Sequence, residues 1–313
     1  MQANHHTMQN KNSFKLYGAV LLSMVFFALS FVWFKVANVS YGPLTIVLFR
    51  LAISSILLFP ITKLMKRLVL PNKKDLKFLL LLALFEPFLY FMSESYGLQY
   101  ISSTVGAVLI ATIPVVTPFA TFIFYKEKIT IRNIAGIIIS FLGVSIVVYE
   151  IGTGLTASPI GILLQFMAVL SAVGYSIVLY KISSRMNNLS IILFQNVFGA
   201  LYFLPFWFFI ERNRFMTTPF DREGFVAIIY LAIFASTLAF VLYTYSIRFL
   251  GITKTSMFTN TIPVFTALFA WMILGDHISV QKILGIMVVI SGLFFAQLKW
   301  KKRYKGPDPI PRM

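Results

Sequence analysis

The sequence predicts an all-α integral membrane protein, with ten transmembrane helices forming two inverted five-helix repeats. Three observations predict it. Of 313 residues, 58% are hydrophobic and only 12% are charged, with a mean hydropathy of +0.84, whereas a soluble domain keeps about a quarter of its residues charged. Apolar runs of about 18 to 22 residues, the length that crosses a bilayer core, recur along the whole chain. The chain also matches itself when shifted by 149 positions.

The spans follow in order. Residues 1–15 form a polar tail. Span 1, Gly18 to Ala37, is too long for the apolar core of a signal peptide, and no small-residue cleavage site follows it before Lys35, so it is a retained helix. Span 2 is Leu44 to Ile61. Span 3, Phe78 to Gly97, carries two acids. Span 4, Thr104 to Phe124, is interrupted by Pro114, and span 5, Ile131 to Tyr149, carries Gly136 and Gly143. The first repeat thus covers 16–150. Spans 6 to 10 are Ile160 to Tyr180, Ser190 to Ile210, Phe225 to Tyr245, Thr255 to Leu274 and Val280 to Leu298, so the second repeat covers 151–298. A basic tail, 299–313, closes the chain.

The repeat is read from residue identities. The 149 shift places Pro114 on Pro263, Thr117 on Thr266, Gly136 on Gly285 and Gly143 on Gly292, and gives 17 identities over residues 82–143 without a gap. A shift of 145 pairs Leu48-Phe49 with Leu193-Phe194 and Pro60 with Pro205. Five is an odd number of crossings, so the second repeat must run through the membrane in the opposite sense, the architecture from which secondary transporters build alternating access.

Charge sets the orientation. One side of the predicted membrane collects 21 Lys and Arg against five on the other, so both termini are expected in the cytoplasm. The same distribution excludes nucleic acid as a partner. A formal charge of +17 would serve that function only if clustered on a soluble face, whereas these residues lie in short gaps beside apolar runs. With no cysteine in the chain, disulfides and thiolate chemistry are absent. No zinc-protease, nucleophile-elbow or phosphate-loop pattern is present, and the sequence predicts neither an enzyme, a cofactor nor a metal site. The expected partners are a small-molecule substrate and the lipid bilayer; the sequence sets no oligomeric state.

The candidate site residues lie inside the spans. Arg50, Glu86 and Glu94 are the charged residues deep within them, and intramembrane charge is functional by default. At 100° per residue Glu86, Tyr90, Ser93, Glu94 and Gly97 share one arc of span 3. Similar depths make an Arg50–Glu94 pair plausible; it would either handle substrate and protons or simply lock two helices. Glu86 has no assignable charged neighbour. Pro114 and Pro263 free the carbonyls of Ile110 and Thr259 at matching depths, beside a water-filled cavity or in a kink satisfied by Thr hydroxyls; Thr259, Asn260 and Thr261 favour the cavity. Tyr243 stands where Glu94 falls under the shift. Gln165, Tyr175, Gln195, Asn196 and Tyr245 are weaker candidates, better suited to interhelical hydrogen bonds.

In each half an aromatic-small-Thr segment leads into a helix with central Pro (Tyr96 to Pro114, Tyr245 to Pro263). An acidic turn (Glu127, Asp276) and a Gly-containing helix follow. In this order and duplication the chain resembles the EamA-like branch of the drug/metabolite transporter superfamily over about residues 15 to 298. The resemblance implies a basket-like bundle with a central cavity lined mainly by spans 1, 3, 4, 6, 8 and 9, peripheral spans 5 and 10, and export or exchange of small metabolites. The expected function is therefore a secondary transporter of the cell membrane, exporting amino-acid-like, drug-like or other polar compounds, with proton coupling as a further possibility. The alternative is a non-transporting membrane scaffold or accessory subunit.

Overall fold

A computed structural model describes residues 2–125, 131–150, 154–155, 157–276 and 279–297. Fifteen α-helices, two π-helical segments and one 3-10 segment make up almost all of it. Among the described residues, eight helical stretches are long and apolar enough to cross a membrane. The places of spans 5 and 10 are taken by two shorter apolar helices.

Span 1 is α1 (Gln2–Asn38), whose helix continues back through the polar tail. Span 2 is α2 (Pro43–Leu64). Span 3 is composite: α3 (Lys73–Ala83), a π-helical segment (Leu84–Leu89) and α4 (Tyr90–Tyr100). Span 4 breaks into α5 (Ser103–Ile110) and α6 (Ile113–Tyr125), and α7 (Ile131–Val148) follows. A short antiparallel ladder, β1 (Tyr149–Glu150) with β2 (Gly154–Leu155), separates the halves.

The second half repeats the plan. It runs through α8 (Pro159–Ser183), α9 (Asn188–Ile210), a short α10 (Arg212–Thr217) and α11 (Arg222–Tyr230). A second π-helical segment (Leu231–Ala239), α12 (Phe240–Leu250), α13 (Ile252–Ser256), a 3-10 segment (Met257–Thr261), α14 (Ile262–Leu274) and α15 (Val280–Gln297) complete it. Under the 149 shift residues 84–89 fall within 231–239, and the start of α6 falls on the start of α14. The irregularities are therefore duplicated along with the helices.

Packing joins the halves rather than separating them. α1 packs on α11, the second π segment, α12 and α14, while its counterpart α8 packs on α3, the first π segment, α4, α5 and α6. α2 packs on its own counterpart α9, and α7 on α15. The α7–α15 seam is antiparallel and close: a Cβ on Gly143 would stand 2.9 Å from the Gly285 carbonyl oxygen, and one on Gly292 2.9 Å from that of Gly136. Gly143 faces Gly285 and Gly136 faces Gly292, so exchanging the two helices reproduces the same contacts. Only residues without a side chain let two backbones approach this closely.

Two sets of polar contacts tie the ends of the bundle. At one end Glu211 accepts from the backbone N–H of Leu44 (3.1 Å) and Thr45 (2.7 Å) and from the Thr45 hydroxyl (2.8 Å). Those N–H groups begin α2 and have no partner within the helix. Nearby, the Ser40 hydroxyl donates to Asp221 at 2.8 Å. At the opposite end the Arg67 carbonyl accepts from the Ser190 hydroxyl (2.8 Å), which in turn accepts from the Val69 N–H (3.0 Å). Arg185 pairs with Asp75 at 3.3 Å there. Each end joins a loop of one half to a span end of the other.

Candidate functional site

Pro87 lacks an N–H and cannot continue an α-helical ladder. The first π segment is in fact a kink between two helices: within it Glu86 leaves helical geometry, with φ −144° and ψ 119°, and precedes a cis peptide bond. A regular arc from Glu86 to Gly97 is therefore replaced by two pieces. Tyr90 and Glu94, four apart on α4, keep a common face, and the Tyr90 hydroxyl donates to Glu94 Oε1 at 2.8 Å. Glu86 lies off that register but remains buried and within electrostatic range of both Glu94 and Arg50. The sequence alone assigns it no charged neighbour.

Arg50 is 2% exposed. Its Nε donates to the Ser236 hydroxyl at 2.8 Å, and its guanidinium carbon lies 4.3 Å from the centre of the Phe91 ring. The expected ion pair with Glu94 is not formed; among the described residues the one ion pair is Arg185–Asp75. The two groups remain within electrostatic range of one another. Ser236 lies on the second π-helical segment, so a helical irregularity in span 8 receives Arg50 just as the one in span 3 displaces Glu86. π-Helical segments like the one in span 8 recur at functional sites.

Uncharged polar groups surround the three charges. Ser54 and Thr237 share a hydrogen bond of 2.6 Å, and Asn196 Nδ2 donates to Ser54 (2.7 Å) and to the Ser236 carbonyl (3.1 Å). The Tyr175 hydroxyl donates to Gln195 Oε1 at 3.0 Å, and Gln165 Nε2 to the Glu94 carbonyl at 3.2 Å. Tyr243 is 3.5 Å from the Ser176 hydroxyl and within range of Glu86. Gln165 Oε1, Gln195 Nε2 and Asn196 Oδ1 are sealed from solvent with no protein partner. An unmade bond on a buried polar group costs about 1 to 3 kcal/mol, so open valences grouped around buried charge mark a place built for something other than stability.

The structure thus gathers Arg50, Glu86, Tyr90, Glu94 and Tyr243 into one cluster built by α2, span 3, α8, α9 and span 8. It does not bring Pro114, Asn260 and Pro263 into that cluster. Rather than sitting inside continuous helices, each Pro is the second residue of a new one, α6 or α14, a position whose missing N–H is of no consequence. Both are buried. Thr hydroxyls take carbonyls at the breaks: Thr112 that of Leu109 (2.6 Å), Thr259 that of Ser256 (2.6 Å) and Thr261 that of Phe258 (2.7 Å). Asn260, 3% exposed, has no partner for either side-chain atom. Tyr245 is exposed and packs on Phe249 instead, and Glu127 lies outside the described residues.

Ser54, Ser236 and Thr237 escaped the sequence reading. Their signal is weak, because single hydroxyls are common in apolar helices and reveal themselves only when spans 2, 7 and 8 are placed side by side. Among the described residues no group of three or more His, Asp or Glu could hold a metal ion.

Comparison with known proteins places this arrangement. Residues 15–149 and 159–297 each match the EamA-like transporter family. The chain is 29% identical to "Uncharacterized transporter YetK" of Bacillus subtilis (strain 168) over 248 residues, which is 77% of this chain and 72% of that protein. It is 27% identical to an "Uncharacterized transporter" of Archaeoglobus fulgidus over 278 residues, 89% of this chain and 97% of the relative. Similarity to "Uncharacterized transporter YcxC" of Bacillus subtilis is 27% over 305 residues, covering 93% and 95%. A protein solved by crystallography shares the fold, with a TM-score of 0.68 and 14% identity over 90% of this chain and 98% of that one.

Proposed function

Since the chain belongs to the EamA-like transporter family, matched along both halves, we propose that it is a secondary transporter of the cytoplasmic membrane that exports small polar or amphipathic metabolites by alternating access. One observation carries the reading: Arg50, Glu86 and Glu94 are buried together without an ion pair among them. Unpaired charge inside a protein costs several kcal/mol per ion. A scaffold gains nothing from that cost, whereas a translocation site uses the open groups to bind solute or to take up and release a proton.

The exchange-symmetric packing supports two inverted repeats and a count of ten spans, with α7 and α15 as spans 5 and 10. In this reading the Glu211 and Arg67 ends of the bundle act as alternate gates around one central site. The basic asymmetry supports cytoplasmic termini, which puts the Arg67 end inside and the Glu211 end outside. Glu94 and Glu86 carry protons in exchange for substrate, and Arg50 sets their charge balance. Substrates of amino-acid-like, drug-like or other polar character fit a site that holds both signs of charge.

The test has two stages. Comparing extracellular and intracellular metabolites of cells with and without the protein should show a small set of compounds enriched outside when it is present. Those compounds are then loaded into proteoliposomes with an imposed pH gradient, where flux should depend on Glu94. The transport reading fails if no metabolite responds and no candidate moves in liposomes that hold folded protein.

A further inference from the structure

A groove of about 500 Å³ lies on the outside of the bundle between α2 and α9, under the chain that links α2 to α3. Its walls are almost wholly apolar, among them Ile56, Phe59, Leu68, Leu70, Phe194 and Val197. Ile56 and Leu70 are 71% and 75% exposed. An apolar groove on a membrane protein takes acyl chains, but its rim here is distinctive. Lys63 stands one turn beyond Phe59 on the same face of α2, and Lys66 and Arg67 immediately precede Leu68. All three are exposed, and among the described residues none has an acidic partner; Asp75, the nearest acid in the chain, is engaged by Arg185. Three free cations therefore border one end of an apolar slot.

We propose that this groove is a binding site for an anionic phospholipid, with acyl chain against Phe59, Phe194 and Val197 and the phosphate among Lys63, Lys66 and Arg67. The two features fit one amphiphile: apolar walls take the chain and fixed positive charge selects the headgroup. The linking chain is held in place over the slot, because the Arg67 carbonyl accepts from Ser190 at 2.8 Å and the Val69 N–H donates to the Ser190 hydroxyl at 3.0 Å. That anchoring keeps the basic rim and both walls in fixed relation. Bound there, the lipid spans the seam between α2 and α9, the pair of helices that joins the two halves.

The experiment uses the full chain in a neutral detergent, with native mass spectrometry counting bound lipid and thermal unfolding read in parallel. The probes are a phosphatidylglycerol, a phosphatidylcholine of the same chains, and glycerol 3-phosphate. Phosphatidylglycerol should bind in preference and raise Tm, while glycerol 3-phosphate, which has no chains, should leave Tm unchanged. Each basic residue near an anionic headgroup contributes roughly fivefold in occupancy, so the combined Lys63→Gln, Lys66→Gln and Arg67→Gln variant should lose the preference. Arg212→Gln, Arg214→Gln and Arg222→Gln, at the opposite end, should keep it. Val197→Trp, which fills the slot, should reduce both lipids. Equal binding of the two lipids, a preference that survives the triple change, or a full Tm rise with glycerol 3-phosphate alone would each overturn the proposal. Because bound lipid is counted on the folded species, a destabilised variant still gives an answer.

Discussion

Asn72 and Asp221, 149 positions apart, cap two helices in the same manner. Asn72 Oδ1 accepts from the N–H groups of Lys74 (3.0 Å) and Asp75 (2.9 Å), and Asp221 from those of Glu223 and Gly224 (both 3.1 Å). The register that aligns Pro114 with Pro263 therefore extends back to the first turns of α3 and α11. The two caps differ in kind, since one is an amide and the other a carboxylate, and that difference is measurable.

The Ser40 hydroxyl, with the N–H groups of Gly224 and Glu223, holds the Asp221 carboxyl below the usual carboxylate range. A depressed carboxyl adds stability above its unfolded value near 3.9, and that stability is lost as pH falls through the acidic region toward the folded value. Asp221→Ala should lower Tm at neutral pH, and Asp221→Asn by less, because an amide oxygen still caps. The gap between wild type and Asp221→Ala should narrow below about pH 4. A gap unchanged from pH 7 to pH 3 would show that the carboxylate charge contributes nothing.

Arg50 and Glu94 are neighbours without a direct bond, so neutralising either should not carry the roughly 3 to 5 kcal/mol penalty of splitting a buried ion pair. Arg50→Gln and Glu94→Gln should yield folded protein near wild-type levels, while pH-driven flux in proteoliposomes drops steeply. If each single change instead abolishes folding and the double change restores it, the pair is a structural lock.

A Cβ at Gly143 would come within 2.6 Å of the Val289 backbone nitrogen. Backbone cannot yield as a flexible side chain does, so Gly143→Val should push α7 from α15 and cost about 1 to 3 kcal/mol. Gly18→Ala meets nothing within 4 Å and should be neutral. Thermal unfolding in detergent distinguishes the two.

Glu211 is 5% exposed and holds the first two N–H groups of α2 that need a partner. Glu211→Ala leaves them buried and unpaired, at about 1 to 3 kcal/mol, while Glu211→Gln, with one acceptor oxygen left, should lose less. Hydrogen exchange at Leu44 and Thr45 reports this directly. Unchanged protection in Glu211→Ala would mean that solvent already reaches these amides.

Without native cysteine, single introduced ones give a clean sidedness measurement. Cysteines at Ser102 and Asn213 should react with an impermeant reagent added outside intact cells, and cysteines at Lys66 and Asn72 only after permeabilisation. The reverse pattern would invert the proposed topology.

Long, strongly apolar helices and the duplicated Pro and Gly positions were legible because composition and identity carry them. Arg50, Glu86 and Glu94 were equally visible, since charge inside an apolar run is rare. What the sequence obscured was geometry at the irregular segments. A regular helical wheel cannot anticipate that Pro87 moves Glu86 off the face of Tyr90 and Glu94, nor that Arg50 finds Ser236 on a second π segment with no Pro in it. The sequence marks Pro114 and Pro263 as interruptions of one helix, whereas each stands at the beginning of another.

The cross-half packing of α1, α2 and α7 also fixes an order of events during synthesis. Each of these helices emerges from the ribosome before its main neighbours on the second half exist: α1 waits for α11, α12 and α14, α2 for α9, and α7 for α15. Until α15, the last of the described helices, has been made, the Gly143 face of α7 lacks the helix that it packs on. A ribosome that stops before Val280 releases a protein with that seam open. Quality control that recognises unpaired glycine faces would find it there.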